Sequence, residues 1–188
     1  MRLFIGIRLP DPIADRLAMT AGGVPGARWI PRENLHLTLR FLGDTETPMA
    51  EDLVDELSAL RAPAFDLRLS GVGLFGDRRR TRMLWAGVEP QPALTHLQKK
   101  VEQAAQRAGF EPERRKFHPH VTLARLRDAP RSRIQQFLHE NGDLSTPPFE
   151  VVDFTLYRSF LSSDGARYEP QCDFELDPPA DPLRAAAV

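Results

Sequence analysis

The sequence predicts an α+β protein, built as two pseudo-symmetric lobes of mostly antiparallel sheet, with outer helices around a central cleft. Three observations carry this. Helical segments are interspersed with strands that run in hairpin-like pairs, the pattern of an α+β fold rather than of strict strand–helix alternation. The order of elements repeats: strand, helix, a His-x-Thr strand, helix, strand, strand, and then helix, a second His-x-Thr strand, helix, strand, strand. The two motifs, "HLTL" (His36–Leu39) and "HVTL" (His120–Leu123), lie 120 − 36 = 84 residues apart in a chain of 188, close to half its length. Neither half carries a glycine-rich phosphate loop ahead of a helix, which excludes a nucleoside-triphosphate fold.

Leu3–Leu9 alternates as a strand, with Leu3, Ile5, Ile7 and Leu9 on one face. "PDPIADRLAMTA" opens on proline and aspartate and spaces Ile13, Leu17 and Met19 as a short helix. "GGVPGARWIPREN" is a broken loop with a short extended piece around Trp29, which is expected to pack on the loop of the first motif. Leu35–Leu42 is a strand ended by "GD". "TPMAEDLVDELSALRA" is a helix facing inward through Leu53, Leu57 and Leu60. Phe65–Gly71 is a strand, followed by glycines, a basic turn at Arg78–Arg80 and a strand at about Arg82–Val88. "PQPALTHLQKKVEQAAQRAGF" begins after prolines, places Leu94, Leu97, Val101 and Ala105 at helical spacing and stops at Gly109. Phe117–Leu126 is a strand, and "PRSRIQQFLHENG" a short helix with Ile134, Phe137 and Leu138 inward. "FEVVDFTLYRSFL" and "ARYEPQCDFEL" are two late strands around "SSDG". Residues 1–176 are expected to form one domain. Residues 177–188, rich in proline and alanine, are expected to fray.

The formal net charge of −1 excludes bulk electrostatic binding of nucleic acid, so any anion must be captured by local clusters. Cys172 is the single cysteine; it forms no internal disulfide and reads as a small hydrophobe in a late strand. Arg8 and Pro10 interrupt the apolar start, and no run reaches the ~20 apolar residues of a membrane helix. The expectation is a cytoplasmic protein.

Residues two apart on a strand share a face. His36 and Thr38 therefore point one way with Leu35, Leu37 and Leu39 behind, and His120 and Thr122 point one way with Val121 and Leu123 behind. If the halves are symmetric, two imidazoles and two hydroxyls converge on one cleft. With an unperturbed pKa near ~6.5, one imidazole can be neutral while the other is protonated. The neutral ring can activate water and the protonated one can protect the leaving oxygen. The hydroxyls can donate to non-bridging phosphate oxygens. In-line displacement needs attack and departure on opposite sides, and a 2′,3′-cyclic phosphate brings its own leaving oxygen. Parity does not decide which histidine is the acid.

The two tetrapeptides resemble the signatures of the two-histidine phosphoesterase superfamily. "MRLFIGIRLP", "WIPRENLHLTLRFLGD", "KFHPHVTLAR" and "FTLYRSFLSSDGARYEP" resemble its bacterial RNA 2′,3′-cyclic phosphodiesterase branch, the LigT-like 2′-5′ RNA ligases, over about Met1 to Leu176. The resemblance implies a bilobal α+β fold and opening of RNA 2′,3′-cyclic phosphate ends to 2′-phosphates without metal or nucleotide cofactor, with 2′-5′ ligation in reverse for some members. It implies His36 as proton donor to the departing 3′-oxygen, His120 as the acceptor that activates water, and Thr38 and Thr122 as phosphate-binding residues. The implied partner is RNA with a 2′,3′-cyclic end, tRNA fragments among the candidates, bound by a monomer away from membranes. Lys116 stands where the branch is associated with proline.

Four residues are candidate RNA or phosphate contacts. Arg125 is one by resemblance, although strand parity sets it opposite Thr122 unless the strand bulges. Lys116, with Arg114 and Arg115, precedes the second motif and either lines an RNA entry path or is a solvated loop. Tyr157 and Phe41 are candidate stacking platforms, with parity setting Phe41 on the face opposite His36. Arg78–Arg82 is either a solvated face or a track for the RNA backbone. His118 and His120, with His36, also allow a metal reading, which leaves both threonines unexplained. His96 and His139 fall on helices and are expected at the surface. A cleft that binds an RNA end without turnover is the other alternative.

Overall fold

The structure is a computed structural model that describes residues 1–76, 81–162 and 165–179. The predicted order of elements is present: β1 (Arg2–Arg8), α1 (Asp11–Ala18), β2 (Ala27–Trp29), a 3-10 turn (Arg32–Asn34), β3 (His36–Asp44), α2 (Thr47–Ser58), β4 (Phe65–Leu67), β5 (Leu69–Gly76), β6 (Thr81–Val88), α3 (Pro92–Arg107), β7 (His120–Leu126), α4 (Arg131–Glu140), β8 (Phe149–Val151), β9 (Asp153–Ser162) and β10 (Gly165–Glu175). Proline in the first turn starts α1, α2 and α3, where its missing N–H costs nothing.

One antiparallel sheet in the order β10-β9-β1-β3-β7-β6-β5 spans both halves, with β2 added to the end of β7. The two motif strands are neighbours at its centre, paired at Leu37↔Val121. The remaining strands, β4 and β8, form a separate pair centred on Asp66↔Glu150. Both pairings obey the same spacing: 121 − 37 = 84 and 150 − 66 = 84. An antiparallel pair has a local twofold axis between its central partners. The two small ladders therefore mark one pseudo-dyad that exchanges the halves of the chain.

The leucine face of the sheet packs under the helices. Leu37, Leu39, Val121 and Leu123 join Leu53 and Leu57 of α2 and Leu94, Leu97 and Val101 of α3 in one core, each at most 3% exposed. Inward positions of the helices are as expected, except that Met19 is exposed and Leu138 half-buried. Burial runs through β1 from Leu3 to Ile7 rather than alternating, because Phe4 is covered on the opposite, motif-bearing face.

Two predicted strands divide. Phe65–Gly71 breaks at Arg68 into β4 and β5, and "FEVVDFTLYRSFL" breaks at Val152 into β8 and β9. In each case the first three residues leave the large sheet to make the β4–β8 ladder. Trp29 packs on Phe137 of α4 and pairs with Ala124 of the second motif strand. The chain is held one residue beyond the expected domain boundary, since Asp177 bridges Pro63 and exchanges backbone hydrogen bonds with Ala62 and Ala64. The turn Arg78–Arg80 and residues 180–188 lie outside the described residues, as does the side chain of Arg82. No helix among the described residues is long and apolar enough to cross a membrane.

Candidate active site

In both motif strands the histidine and threonine are partly exposed while the intervening Leu37 and Val121 are fully buried. With Leu37 opposite Val121, antiparallel register sets His36 across from Thr122 and Thr38 across from His120. The two histidines are then diagonal neighbours on one face, the relation that puts such positions about 7–8 Å apart. All four polar groups stand on the face away from the helices.

Each imidazole is oriented in the same way. His36 Nδ1 lies 2.7 Å from the Asn34 carbonyl, and His120 Nδ1 lies 2.7 Å from the His118 carbonyl. A carbonyl only accepts, so Nδ1 carries the proton in both rings and Nε2 is the free site. The rings differ in their surroundings. His36 is enclosed by Phe4 at 4.7 Å and the edge of Tyr168 at 5.2 Å, with Tyr157 beyond at 6.2 Å. His120 meets the edge of Phe75 at 4.8 Å and lies near Trp85. Loss of hydration pulls the pKa of His36 down to about 4, against the hydrogen bond to Asn34 and with a smaller push from His120. His120 is lowered by the same cause, against its bond to His118.

Beyond the threonine, both strands bulge. Across from β3, Ile5 pairs with Arg40 but Gly6 with Thr38, so Leu39 is the extra residue. Across from β7, Leu84 pairs with Ala124 but Trp85 with Thr122, so Leu123 is the extra residue. The bulges are dyad mates (123 − 39 = 84) and reverse parity beyond them. Residues 39 and 40, and again 123 and 124, are consecutive buried positions. Phe41 and Arg125 consequently turn to the motif face, correcting the parity expectation for both. Phe41 is 54% exposed there rather than packed in the core.

A recess of about 30 Å³ is lined by His36, Thr38, Thr122, Phe41, Arg125 and Tyr168, with Ile30 and Asn34. It opens into a cleft of about 550 Å³ that shares Phe41, Arg125 and Tyr168 and continues past Arg2, Arg28 and Arg115. His120 stands beside the recess rather than on its wall. Thr122 Oγ1 rests 3.4 Å from Met83 Sδ.

Two expected contacts differ. Tyr157 is buried, stacked at 4.9 Å on Phe4 and outside the lining of both cavities, so it supports the wall behind His36 and offers no platform to a base. Lys116 is exposed and lines neither cavity; of the basic trio, Arg115 does. The aromatic residue that reaches the cleft is Tyr168 of β10, which meets both His36 and Phe4 at steep interplanar angles. The signal for it was the late strand's return across β9, which only the topology supplies. His118 packs on Phe75 and Trp85, and among the described residues no three His, Cys, Asp or Glu side chains converge as a metal-holding group. His96 and His139 are at the surface and Cys172 is half-buried in β10.

The cleft floor thus offers two oriented imidazoles, two hydroxyls and a guanidinium on one sheet face, the set suited to acid–base chemistry at a phosphate. A family model described as the 2′-5′ RNA ligase superfamily matches residues 9–160. A protein of Aeropyrum pernix named RNA 2′,3′-cyclic phosphodiesterase is 35% identical, over 84% of this chain and 89% of its own length. One of the same name from Thermotoga maritima is 33% identical, over 93% and 96%. The crystal structure of Escherichia coli LigT complexed with 3′-AMP superposes with a TM-score of 0.74 at 32% identity, covering 93% of this chain and 97% of that one. The chain belongs to the 2′-5′ RNA ligase superfamily.

Proposed function

We propose that the chain is an RNA 2′,3′-cyclic phosphodiesterase that opens cyclic ends to 2′-phosphates by two-histidine acid–base catalysis. The observation that carries this is the convergence of both His-x-Thr pairs about one dyad on the cleft face. The names of the curated relatives support the reaction class. Thr38, Thr122 and Arg125 surround a recess with room for one or two water-sized groups, which suits phosphoryl oxygens.

The asymmetry of the cleft supports an order for the two histidines. The large cavity adjoins the recess beside His36, bounded by Phe4, Phe41 and Tyr168, whereas Phe75 and Trp85 close in on His120. Among the described residues the space for a nucleoside lies on the His36 side. Its 3′-oxygen leaves toward the nucleoside, so His36 Nε2 donates the proton to it. Water then attacks from the opposite side, where neutral His120 Nε2 accepts its proton. The same displacement with a 5′-hydroxyl in place of water forms a 2′-5′ bond, with His120 taking the hydroxyl proton and His36 protonating the departing 3′-oxygen. The substrates we envisage are RNA ends, tRNA fragments among them, met by a monomer in the cytoplasm.

Incubation in EDTA with an RNA carrying a 2′,3′-cyclic end should give a 2′-phosphate. Tight binding without turnover would leave only an end-binding module, and turnover restored only by added metal would refute the two-histidine mechanism.

A further inference from the structure

The recess accounts for a phosphate, but the cleft it opens into is far larger and carries a charge pattern of its own. Among the described residues four arginines, Arg2, Arg28, Arg115 and Arg125, line it, and no aspartate or glutamate does. In a chain with a net charge of −1 this is a local concentration of positive charge inside a cavity of nucleotide size. Arg125 borders the recess as well and belongs to the cyclic phosphate. The others lie outside the recess and are not used by the chemistry above.

Arg115 is held in place for a ligand. Its Nε and Nη2 donate to Glu113 at 3.2 and 2.9 Å. Glu113 is in turn fixed by Arg40, a buried residue that also donates to the Glu111 carbonyl at 2.6 Å and contacts Glu102 at 2.7 Å. The bulge that brings Phe41 to the cleft is what turns Arg40 the other way, onto this loop. Two of the guanidinium nitrogens of Arg115 are thus engaged by Glu113. Nη1 makes no hydrogen bond among the described residues, which leaves a preorganised donor pair for an anion.

We propose that Arg115 and Arg2 form a second anion subsite, which takes the phosphodiester on the 5′ side of the terminal nucleotide. This rests on the reaction proposed above. It makes the enzyme selective for the end of an RNA chain over a free cyclic mononucleotide.

The test compares a nucleoside 2′,3′-cyclic phosphate with a dinucleotide that has the same cyclic end and one internal phosphodiester. For the wild type, KM for the dinucleotide should be lower by about tenfold, the scale of one hydrogen bond to a charged group. Arg115→Gln and Arg2→Gln should each erode that advantage and leave turnover of the mononucleotide unchanged, which also reports that the variants are folded. A dinucleotide whose internal linkage is a neutral methylphosphonate should lose the advantage with the wild-type protein. Equal KM values for both substrates, or variants that slow both alike, would overturn the subsite while leaving the reaction intact. Failure to hydrolyse either substrate would remove the reaction and the subsite with it.

Discussion

His36 is assigned a proton-donating role, yet its surroundings favour the neutral ring. With a pKa of about 4, roughly one free molecule in a thousand carries the His36 proton at pH 7. Protonating the rest costs about 4 kcal/mol, three pH units at about 1.36 kcal/mol each. One negative charge about 4 Å away, at an effective dielectric of about 20, returns about 4 kcal/mol. The two terms balance, so a bound phosphate monoanion should bring the His36 pKa back to about 7, and binding should take up a proton. The perturbation is pH, with a non-hydrolysable nucleoside 2′,3′-cyclic phosphonate as ligand and His120→Asn protein to silence the second motif. Uptake should be about 0.9 proton per ligand at pH 6 and about 0.5 at pH 7, with affinity rising about forty-fold from pH 7 to pH 5. Calorimetry in buffers of different ionisation enthalpy counts the protons. Tyr168→Ser, which admits water to the ring, should raise the free pKa and reduce the uptake. Affinity that is flat with pH, with no proton taken up, would refute the reasoning that burial neutralises His36 until the substrate arrives. The same burial has a consequence for stability. A histidine whose folded pKa is lowered gives stability above its unfolded pKa, and that stability is lost as pH falls from about 6.5 to about 4, by at most about 3 kcal/mol since the ring edge meets the recess.

Because both histidines have lowered pKa values and one must be protonated while the other is neutral, kcat/KM should follow a bell with its maximum below about pH 6.5; an optimum above it would show that neither ring is the titrating group. His36→Ala and His120→Ala should each lower the rate by about 10²-fold or more in single-turnover assays. Arg40→Ala strands Glu102 and Glu113 and should cost about 3–5 kcal/mol in urea unfolding, with no such loss expected for exposed Arg68→Ala. Gly73→Ala would set a Cβ 2.2 Å from Trp85 Cζ2, so the indole must move; a cost of about 1–3 kcal/mol and a loss of activity through the Phe75–Trp85 wall of His120 are expected from denaturation and rate measurements.

What could be read in the sequence was whatever depends on spacing along the chain. His36, Thr38, His120 and Thr122 obey strand parity over three residues, too short a distance for a bulge to intervene, and the interval of 84 recurs in the ladder centres of both sheets. Parity failed at the next two or three residues. Leu39 and Leu123 are ordinary strand residues, and nothing in "HLTLRF" or "HVTLAR" marks an extra one, because a bulge is decided by the partner strand's register. That one omission misplaced Phe41 and Arg125 together, and the same reversal turns Arg40, which parity alone would set on the face of His36 and Thr38, inward onto Glu102 and Glu113. Tyr157 failed for the complementary reason: it sits in a motif-like run, but β9 is covered by Phe4 on its neighbour, while Tyr168 reaches the cleft from the far edge of the sheet. The dyad sharpens the point. It makes residues 41 and 125 equivalent in the backbone, and the sequence fills them with an aromatic ring and a guanidinium. The four motif side chains are nearly symmetric, and a symmetric site has no preferred direction for a substrate. Direction therefore has to come from positions such as these, where the backbone repeats and the side chain does not.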